Sequence, residues 1–458
     1  MSNRISFYGA ARTVTGSKHL IESNGKKVLI DCGIFQGSKE LRERNRQEFP
    51  FAAHELDAVV ITHGHQDHIG MLPVLKKKGY DGPIYSTKAT RRISSISLAD
   101  SGRIQEEDAY QHNKRHDDKI EPLFTEDDAY AVMKQFKTEP YDVQFDLPGG
   151  MKARYIPAGH IIGSAYVEIE FKDGKTILMG GDLGRWDTPI INDPELVERA
   201  DYVVVESTYG DRIHSKEDPK EKIAQILSDA IRNSSCVLIP SFAIGRTQEL
   251  LYYISCLHAE GRLGRIPVYV DSPMATSVSD LYGDQPEEWD PEMVRMMKRR
   301  QNPVEPEGLQ LVRDRNMSKA LNVQSGPMVI IAGSGMANGG RIVHHLLHRL
   351  SDPSTVVLFT GYQAHETLGR RLLEGADRVR IFGQEVEVHA KVDKVNALSA
   401  HADQGELLRW LHGFNVPPKK LFVVHGEPEV QDIFAEKVRA DLGWDVVIPN
   451  QGDSFVLD

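Results

Sequence analysis

The segment VVITHGHQDHIGMLP, residues 59–73, concentrates metal-binding side chains in one short stretch. These side chains are His63, His65, Asp67 and His68. Imidazole and carboxylate groups together suit Zn²⁺. The residues AVVIT are apolar and β-branched, which predicts a buried strand, and the residues after Gly70 have a helical pattern. A loop that is histidine-rich by chance is the alternative, but four ligands directly behind a core strand argue against it. The segment therefore predicts a metal site at the carboxyl end of a strand.

Further candidate ligands follow other strand-like segments, as a metal ion with about four ligands requires. Asp31 ends KKVLID, and His160 follows MKARYIPAG. Asp182 follows KTILMGG, and His425 follows KKLFVV. One such residue by itself is more often a cap or a buried polar group. The repeated context predicts that most of these side chains converge on one metal centre.

Several segments resemble a known family. HGHQDH with Asp31, His160 and Asp182 resembles the motif series of the metallo-β-lactamase fold. Further segments resemble the extra motifs of the β-CASP branch, whose members are mostly nucleases: VVVESTYGDR with Glu206, NALSAHADQGEL with His401, and LFVVHGEPE with His425. PSFAIGRTQELL, IPVYVDSPMA and IIAGSGMANGGRIVHHL are also similar to that branch. The resemblance covers essentially the whole chain. It is closest to stand-alone prokaryotic RNA-processing members, relatives of the cleavage-and-polyadenylation endonuclease subunit.

The order of segments predicts an α/β protein. A helix around Lys220 to Arg232 is followed by the strand-like segments SSCVLIP, IPVYVD, GPMVIIAG and STVVLFTG, separated by helices. This alternation predicts a parallel sheet flanked by helices. YGDQPEEWDPEM and RRQNPVEPEGLQ are expected to be loops. The resemblance implies a metallo-β-lactamase αββα sandwich formed by 1–208 and 391–458. An inserted β-CASP cap domain at 209–390 would leave the active site in a cleft between the domains.

Charge and composition narrow the class of protein. The net charge of −11 argues against broad, sequence-independent coating of a duplex, although a local basic groove is compatible with it. No apolar run is long enough to span a bilayer, and the first residues have no signal-peptide pattern. Three cysteines, Cys32, Cys236 and Cys256, are predicted to be buried free thiols in a reducing compartment. We therefore expect a cytoplasmic protein without membrane association.

The resemblance implies a centre of two zinc ions. His63, His65 and His160 would bind one ion, and Asp67, His68 and His425 the other. Asp182 would bridge both ions. Such a pair stabilises the attacking and leaving oxygens of a displacement at phosphorus. Manganese or iron could replace zinc in the cell. Asp31 is expected to orient a ligand histidine rather than to bind metal.

Cleavage of a phosphodiester also requires a proton for the leaving oxygen. His401 is the candidate general acid, because imidazole titrates near neutral pH. Glu206 could hold its ring and favour the protonated form. With Asp67, these residues form the expected catalytic set. The alternatives are a surface glutamate at a strand end for Glu206, and a residue at a helix start without chemical role for His401.

Two glycine-containing loops could hold phosphate. SFAIGR and GSGMANGGR precede predicted helices, whose first N–H groups attract anions. Ser334, Gly335 and Met336 are the candidate phosphate-binding residues, with Arg246 and Arg341 as charge partners. Such turns are common, so the pattern is weak by itself. In TGYQAHETLGR, His365 and Glu366 depart from the family pattern, and His365 is not expected to be a ligand.

These features together predict a zinc-dependent ribonuclease that hydrolyses single-stranded RNA, with endonucleolytic cleavage favoured over 5′-exonucleolytic cleavage. By resemblance, His425 favours RNA over DNA. A metallohydrolase for a small thioester or phosphodiester is the main alternative, because this fold carries many chemistries. A di-iron oxidoreductase and a non-catalytic RNA-binding scaffold are further alternatives. A homodimer is also expected by resemblance.

Overall fold

The computed structural model of the chain describes residues 3–361, 363, 366–395 and 397–458. His365 lies outside the described residues. Within those ranges, none of the helices combines the length and apolar character that crossing a membrane requires. The chain divides into two compact units. The first comprises Met1–Thr188, Asn192–Ile213 and His401–Asp458, and the second comprises Pro189–Ile191 and His214–Ala400. The domain boundaries at 208 and 390 stay a prediction.

The strands and helices have the following bounds in chain order. The first part of the chain contains the strands β1 (Asn3–Phe7), β2 (His19–Ser23), β3 (Lys26–Ile30), β4 (Ala58–Val60), β5 (Ile84–Ser86), β6 (Phe136–Thr138), β7 (Phe145–Leu147), β8 (Met151–Pro157), β9 (Ala165–Glu170), β10 (Thr176–Met179) and β11 (Tyr202–Val205). Its helices are α1 (Lys39–Arg44), α2 (Gln66–Ile69), α3 (Leu72–Lys77), α4 (Lys88–Arg115) and α5 (Glu126–Met133).

The second unit and the last part of the chain continue this numbering. The second unit contains the strands β12 (Cys236–Pro240), β13 (Val268–Asp271), β14 (Leu309–Leu311), β15 (Met328–Ala332), β16 (Thr355–Phe359), β17 (Arg378–Ile381), β18 (Gln384–Glu387) and β19 (Lys391–Lys394). Its helices are α6 (Pro219–Asn233), α7 (Arg246–Ala259), α8 (Pro273–Tyr282), α9 (Pro291–Lys298), α10 (Arg315–Leu321), α11 (Arg341–Arg349) and α12 (Leu368–Leu373). The chain ends with α13 (Gln404–Leu411), β20 (Lys420–Val423), α14 (Pro428–Leu442), β21 (Val446–Val447) and β22 (Ser454–Leu457).

The first unit contains two seven-stranded sheets. One has the order β22-β1-β2-β3-β4-β5-β6, in which β3 to β6 are parallel. The other has the order β21-β20-β11-β10-β9-β8-β7, in which β10, β11, β20 and β21 are parallel. Strand β9 is antiparallel to both of its neighbours, so β8 runs in the same direction as β10.

Alternating side chains along the strands build three apolar layers in the first unit. Tyr202 and Val204 of β11 point into the core between the two sheets. Val203 and Val205 point to the opposite face, where α13 and α14 cover them. Helices α3 and α5 cover the outer face of the other sheet. This period-two pattern places helices on both outer faces, and the predicted αββα sandwich is confirmed.

The second unit is built on a six-stranded sheet with the order β14-β13-β15-β12-β16-β19. All of its described pairs are parallel. Helices α6 and α7 pack on one face, and α11 and α12 pack on the other. The hairpin of β17 and β18 is the antiparallel element of this unit within the described ranges. The predicted parallel sheet flanked by helices is confirmed, as is the helix around Lys220 to Arg232.

Two segments that we expected to be loops contain regular structure. Helix α9 begins at Pro291, and the Asp290 side chain accepts a hydrogen bond from Met293 N, 2.5 Å away. Aspartate at the cap with proline at the first position is a helix-start signal, so the sequence carried this information. In the other segment, Leu309 and Gln310 belong to β14 at the edge of the sheet. The prediction of loops was wrong for these residues.

The prediction of free cysteines is confirmed for all three, and the prediction of burial is confirmed for Cys32 and Cys236. It was wrong for Cys256, which is partly exposed on α7. Burial raises the pKa of the Cys32 thiol to about 12, so this residue packs beneath the strands as a neutral side chain.

Candidate metal centre

Strand direction brings the candidate residues of the first unit together. Strands β8, β10, β11 and β20 run in the same direction, so their carboxyl ends meet at one edge of their sheet. The residues that follow these strands are His160, Asp182, Glu206 and His425. In the other sheet, Asp31 and His63 follow the adjacent parallel strands β3 and β4. Each candidate is therefore held by a rigid strand on its N-terminal side.

Three ring nitrogens and one carboxylate oxygen form a first donor set. His65 Nδ1 lies 3.2 Å from His63 Nε2 and 3.1 Å from His160 Nε2. Asp182 Oδ2 lies 3.5 Å from His63 Nε2 and 3.6 Å from His160 Nε2. Zinc with bonds of about 2.0–2.1 Å in a tetrahedral site has ligand atoms about 3.3–3.4 Å apart. The four donors are therefore spaced as the ligands of one tetrahedral ion.

A second donor set shares Asp182 with the first. His425 Nε2 lies 3.4 Å from Asp67 Oδ2 and 3.3 Å from His68 Nε2. Asp182 Oδ1 lies 3.4 Å from His68 Nε2. These three separations have the same range as those of the first set. The other ring nitrogen of His425, Nδ1, lies 3.6 Å from Asp182 Oδ1. Asp182 thus presents Oδ2 to one donor set and Oδ1 to the other.

Hydrogen bonds behind the rings set the nitrogen that each histidine presents. His68 Nδ1 donates to Asp31 Oδ2 over 2.7 Å. Thr62 Oγ1 donates to the same carboxylate, 2.9 Å away, and therefore accepts from His63 Nδ1 over 3.2 Å. Protons on both Nδ1 atoms make Nε2, which faces Asp182, the nitrogen that His63 and His68 would offer to a metal ion.

Two threonines in this arrangement were missed from the sequence. Thr62 contacts Asp31 and His63 as described, and Thr208 Oγ1 lies 3.2 Å from His425 Nδ1. Thr208 Oγ1 also donates to the His425 carbonyl, so it accepts from the ring and leaves Nε2 for the donor set. The sequence did contain a signal for these residues, because Thr62 precedes the candidate ligand His63, and Thr208 lies two residues after Glu206 at the end of a strand.

The donor chemistry fits a bound cation. Asp182 Oδ1 is buried and has no hydrogen-bond partner among the described residues. A buried carboxylate oxygen without such a partner is costly, and a cation between the donors would satisfy it. The set of neutral nitrogens and carboxylates is one that zinc prefers. The ligand atoms of the first donor set, and those of Asp67, His68 and His425 in the second, lie close enough together for each group to hold one metal ion. Asp182, His425 and Glu206 form a further group with this property.

Burial and mutual charge control the protonation of the centre. Burial lowers the pKa of His63 well below its usual value and that of His65 to about 4, so both rings are neutral ligands. Burial by itself lowers the pKa values of His68 and His425, but the Asp182 carboxylate raises both overall, so these two rings carry a proton that a metal ion would displace. Burial by itself raises the pKa of Asp182, but the protonated His425 and His68 lower it well below its usual range. Burial also raises the pKa of Asp67, but the contact with the protonated His425 lowers it to about 2. The carboxylates are therefore ionised.

His401 lies beside the donor sets and is held by Glu206. His401 Nδ1 lies 3.1 and 3.2 Å from the two Glu206 oxygens and 3.8 Å from Asp182 Oδ2. Glu206 is 1% exposed and also accepts from Leu183 N and Thr208 N, so it is not a surface glutamate. Burial lowers the pKa of His401, but the charge and hydrogen bond of Glu206 raise it overall to about 9. The predicted helix start is confirmed, with Asp403 as the cap of α13.

Exposure indicates the side from which a substrate reaches the centre. The His401 and Asp67 side chains are 22% and 20% exposed, whereas those of His63 and Asp182 are 1% exposed. A molecule in solvent therefore meets His401 and Asp67 before the deeper donors.

Comparison with protein families accounts for most of the chain. Residues 14–198 match the family model described as metallo-beta-lactamase superfamily, and residues 247–372 match the Beta-Casp domain. Residues 385–449 match the Zn-dependent metallo-hydrolase RNA specificity domain. Ribonuclease TTHA0252 of Thermus thermophilus is 40% identical, over 93% of this chain and 94% of its own length. The chain belongs to the β-CASP branch of the metallo-β-lactamase superfamily. It is therefore a metal-dependent hydrolase.

Other β-CASP relatives and one solved structure extend the likeness. The transcription termination factor FttA of Methanocaldococcus jannaschii is 30% identical, over 99% of this chain and 71% of its own length. An RNase J-like protein of the same organism is 30% identical over 98% of both chains. A crystal structure of a protein of unknown function from Enterococcus faecalis V583 covers 100% of both chains with a TM-score of 0.56 and 13% identity, which shows a shared fold.

The candidate phosphate-binding residues belong to the second unit, which contains the matched β-CASP segment. Ser334, Gly335 and Met336 follow β15. Helices α7 and α11 begin at Arg246 and Arg341, and neither has a side-chain cap. Arg246 pairs with Glu249, and Arg341 donates to Asp271 Oδ1 and Val312 O. Both guanidinium groups thus have protein partners, and their role as charge partners of phosphate stays a prediction.

Proposed function

We propose that this chain is a zinc-dependent ribonuclease that hydrolyses internal phosphodiester bonds of single-stranded RNA. The observation that carries the proposal is the pair of donor sets that share Asp182, with His401 beside them. The likeness to a protein named ribonuclease over nearly the full length of both chains supports the same reaction. The match to an RNA specificity domain spans His401 and His425, which supports RNA as the substrate.

The proposal assigns two zinc ions to the centre. His63, His65 and His160 would hold one ion, Asp67, His68 and His425 would hold the other, and Asp182 would contact both. Zinc at these positions supplies Lewis-acid stabilisation of phosphoryl oxygens and lowers the pKa of water toward neutrality.

The protein residues orient the donors and handle the proton. Asp31 and Thr62 keep the Nδ1 atoms of His68 and His63 protonated, so that Nε2 remains the ligand atom. Glu206 holds His401 through Nδ1 and stabilises the imidazolium form. His401 would donate a proton to the leaving oxygen of the phosphodiester. Its partial exposure lets the ring contact a bound strand.

The proposal also covers the kind of nucleic acid, the mode of cleavage and the state of the protein in the cell. The resemblance of His425 to the last motif of RNA-acting members favours RNA. Internal cleavage, single-stranded specificity, the homodimer and the cytoplasmic location stay predictions. So do the ligand assignments and the domain boundaries.

The test is cleavage of 5′-labelled single-stranded RNA by the wild type and two variants, with zinc content measured on the same samples. We expect zinc-loaded wild type to produce internal fragments. Asp67→Ala should lose both activity and zinc, whereas His401→Ala should lose activity and keep zinc. His412→Ala is the matched control, because His412 is an exposed histidine directly after the last residue of α13. This variant should cleave RNA like the wild type.

Two results would change the conclusion. Mononucleotides as the sole product would show that the enzyme cleaves exonucleolytically and not at internal bonds. If zinc-loaded wild type leaves RNA intact but hydrolyses bis-p-nitrophenyl phosphate or a thioester, the chain is a hydrolase of small molecules and not a ribonuclease.

A further inference from the structure

The connections that follow β12 and β15 separate at the carboxyl edge of the second sheet. These strands are neighbours, but the chain leaves β12 through α7 toward β13, and leaves β15 through α11 toward β16. Helix α7 packs on one face of the sheet and α11 on the other. Where adjacent connections of a parallel sheet diverge in this way, a crevice opens outside the strand ends, and ligands bind there.

Phe242 lies in this crevice with its ring held in place. It follows β12 and is 44% exposed. Its ring packs on the β15 connection, because a Cβ built on Gly335 would lie 2.7 Å from Phe242 Cδ2. The Phe242 carbonyl accepts from Thr247 N, Thr247 Oγ1 and Ser241 Oγ, 2.8–3.2 Å away. Three hydrogen bonds therefore hold the Phe242 main chain, and the Gly335 loop supports one side of the ring, while the remaining ring surface is open to solvent and available to a ligand.

The surroundings of the ring suit a nucleotide strand. Helices α7 and α11, of 14 and 9 residues, both begin at this edge without side-chain caps, and helix N-termini attract phosphate. The N–H groups of Thr247 and Ile342 already donate to backbone carbonyls, so the two helices contribute the positive ends of their dipoles and not free donors. An aromatic face next to these helix starts offers a stacking surface for a base, and the dipoles favour the adjoining phosphates. Stacking is also tolerant of sequence, because every base has a π-face.

We propose that Phe242 is a stacking platform for one base of the RNA strand, at the carboxyl edge of the parallel sheet. This inference rests on the proposed function, because it names a contact that the RNA would make. Phe242 would act on binding and not on the chemical step, so its loss should raise KM more than it lowers kcat.

The experiment measures binding of short single-stranded RNA that carries 2-aminopurine at successive positions. The full chain with His401→Ala serves as the parent, so that the RNA is not cleaved. Phe242→Leu should weaken binding by about 5-fold or more and abolish the fluorescence quenching that stacking causes. Phe242→Tyr should retain both. The slope of affinity against salt should stay unchanged in Phe242→Leu, because no phosphate contact is removed.

Phe382→Leu is the control, since Phe382 is an aromatic residue of the same unit that is 60% exposed. It should bind RNA and quench like the parent. Equal affinity and quenching in Phe242→Leu would overturn the inference, and wild type that still cuts RNA would then leave the proposed function intact. A zinc-loaded wild type that neither binds nor cuts RNA would overturn both.

Discussion

Asp31→Asn tests whether the residue behind a ligand controls metal binding. Asp31 Oδ2 accepts from His68 Nδ1, and Asp31 Oδ1 accepts from Thr62 N over 2.9 Å. The backbone of Asp31 is left-handed, with φ 59°. Asparagine tolerates this conformation, whereas alanine would add strain of its own. The substitution therefore changes the chemistry of one side chain with little effect on the chain path.

The expected magnitude follows from the two hydrogen bonds. If the asparagine oxygen keeps the bond from Thr62 N, its amide N–H group faces the Nδ1–H of His68. His68 must then move its proton to Nε2, the atom 3.4 Å from Asp182 Oδ1, and loses its ligand lone pair. Rotation of the amide restores His68 but breaks the bond to Thr62. Loss of such an orienting partner weakens metal affinity about 10- to 100-fold, or by about 1.4–2.7 kcal/mol.

The assay is a zinc titration against a chromophoric chelator, with thermal unfolding of the metal-free proteins measured in parallel. Asp142→Asn is the matched control, because Asp142 also has a left-handed backbone, φ 61°, and is exposed. We expect the control to bind zinc like the wild type. Equal zinc affinity in wild type and Asp31→Asn, with unchanged unfolding temperatures, would refute the reasoning that Asp31 orients His68.

Three further predictions concern stability. Removal of zinc by a chelator should lower the unfolding temperature of the wild type, because an ion bound to the folded state stabilises that state. The same treatment should leave the unfolding temperature of Asp182→Asn unchanged, because we expect this variant not to bind zinc. Gly33→Ala should cost at least about 1–3 kcal/mol in urea unfolding, because its Cβ would lie 1.5 Å from Asp67 O; Gly339→Ala has nothing within 4 Å and should unfold like the wild type. Burial raises the pKa of Asp271, but hydrogen bonds from His345, Ser318 and Arg341 lower it overall, so this carboxylate stabilises the fold above the unfolded value of about 3.9, and that contribution is lost as the pH falls. Asp271→Asn should flatten the decline in unfolding temperature at acid pH, and an unchanged decline would contradict this account.

The candidate ligands were recognisable from the sequence because their placement depends on local patterns. Apolar β-branched segments predict strands, and a histidine or aspartate directly behind such a strand lies at a sheet edge. His160 and Asp182 are examples, and both strands end three residues before the ligand. The helix at Pro291 carried an equally local signal in its Asp290 cap and was missed because the surrounding prolines and glutamates suggested a loop.

Contacts between distant segments could not be predicted in this way. Thr208 Oγ1 meets His425 Nδ1 across 217 residues of chain, a contact that was missed. Glu206 meets His401 across 195 residues, a contact that was expected from the resemblance to the β-CASP motifs and not from spacing. Neither pair follows from spacing, because strand order and register decide which strand ends become neighbours. The partners of Arg341 were likewise hidden, since Asp271 comes from another strand of the sheet.

By itself the sequence determined the family, the alternation of strands and helices, and the residue types available to a metal. Those properties depend on side-chain chemistry and on periods of two and 3.6 residues, which can be read along the chain. The tertiary structure alone decided which nitrogen each histidine presents, and that the two oxygens of Asp182 face different donor sets. It also decided that Phe242 lies over Gly335. The physical reason is that distances of about 3 Å between groups far apart in sequence depend on the packing of whole sheets.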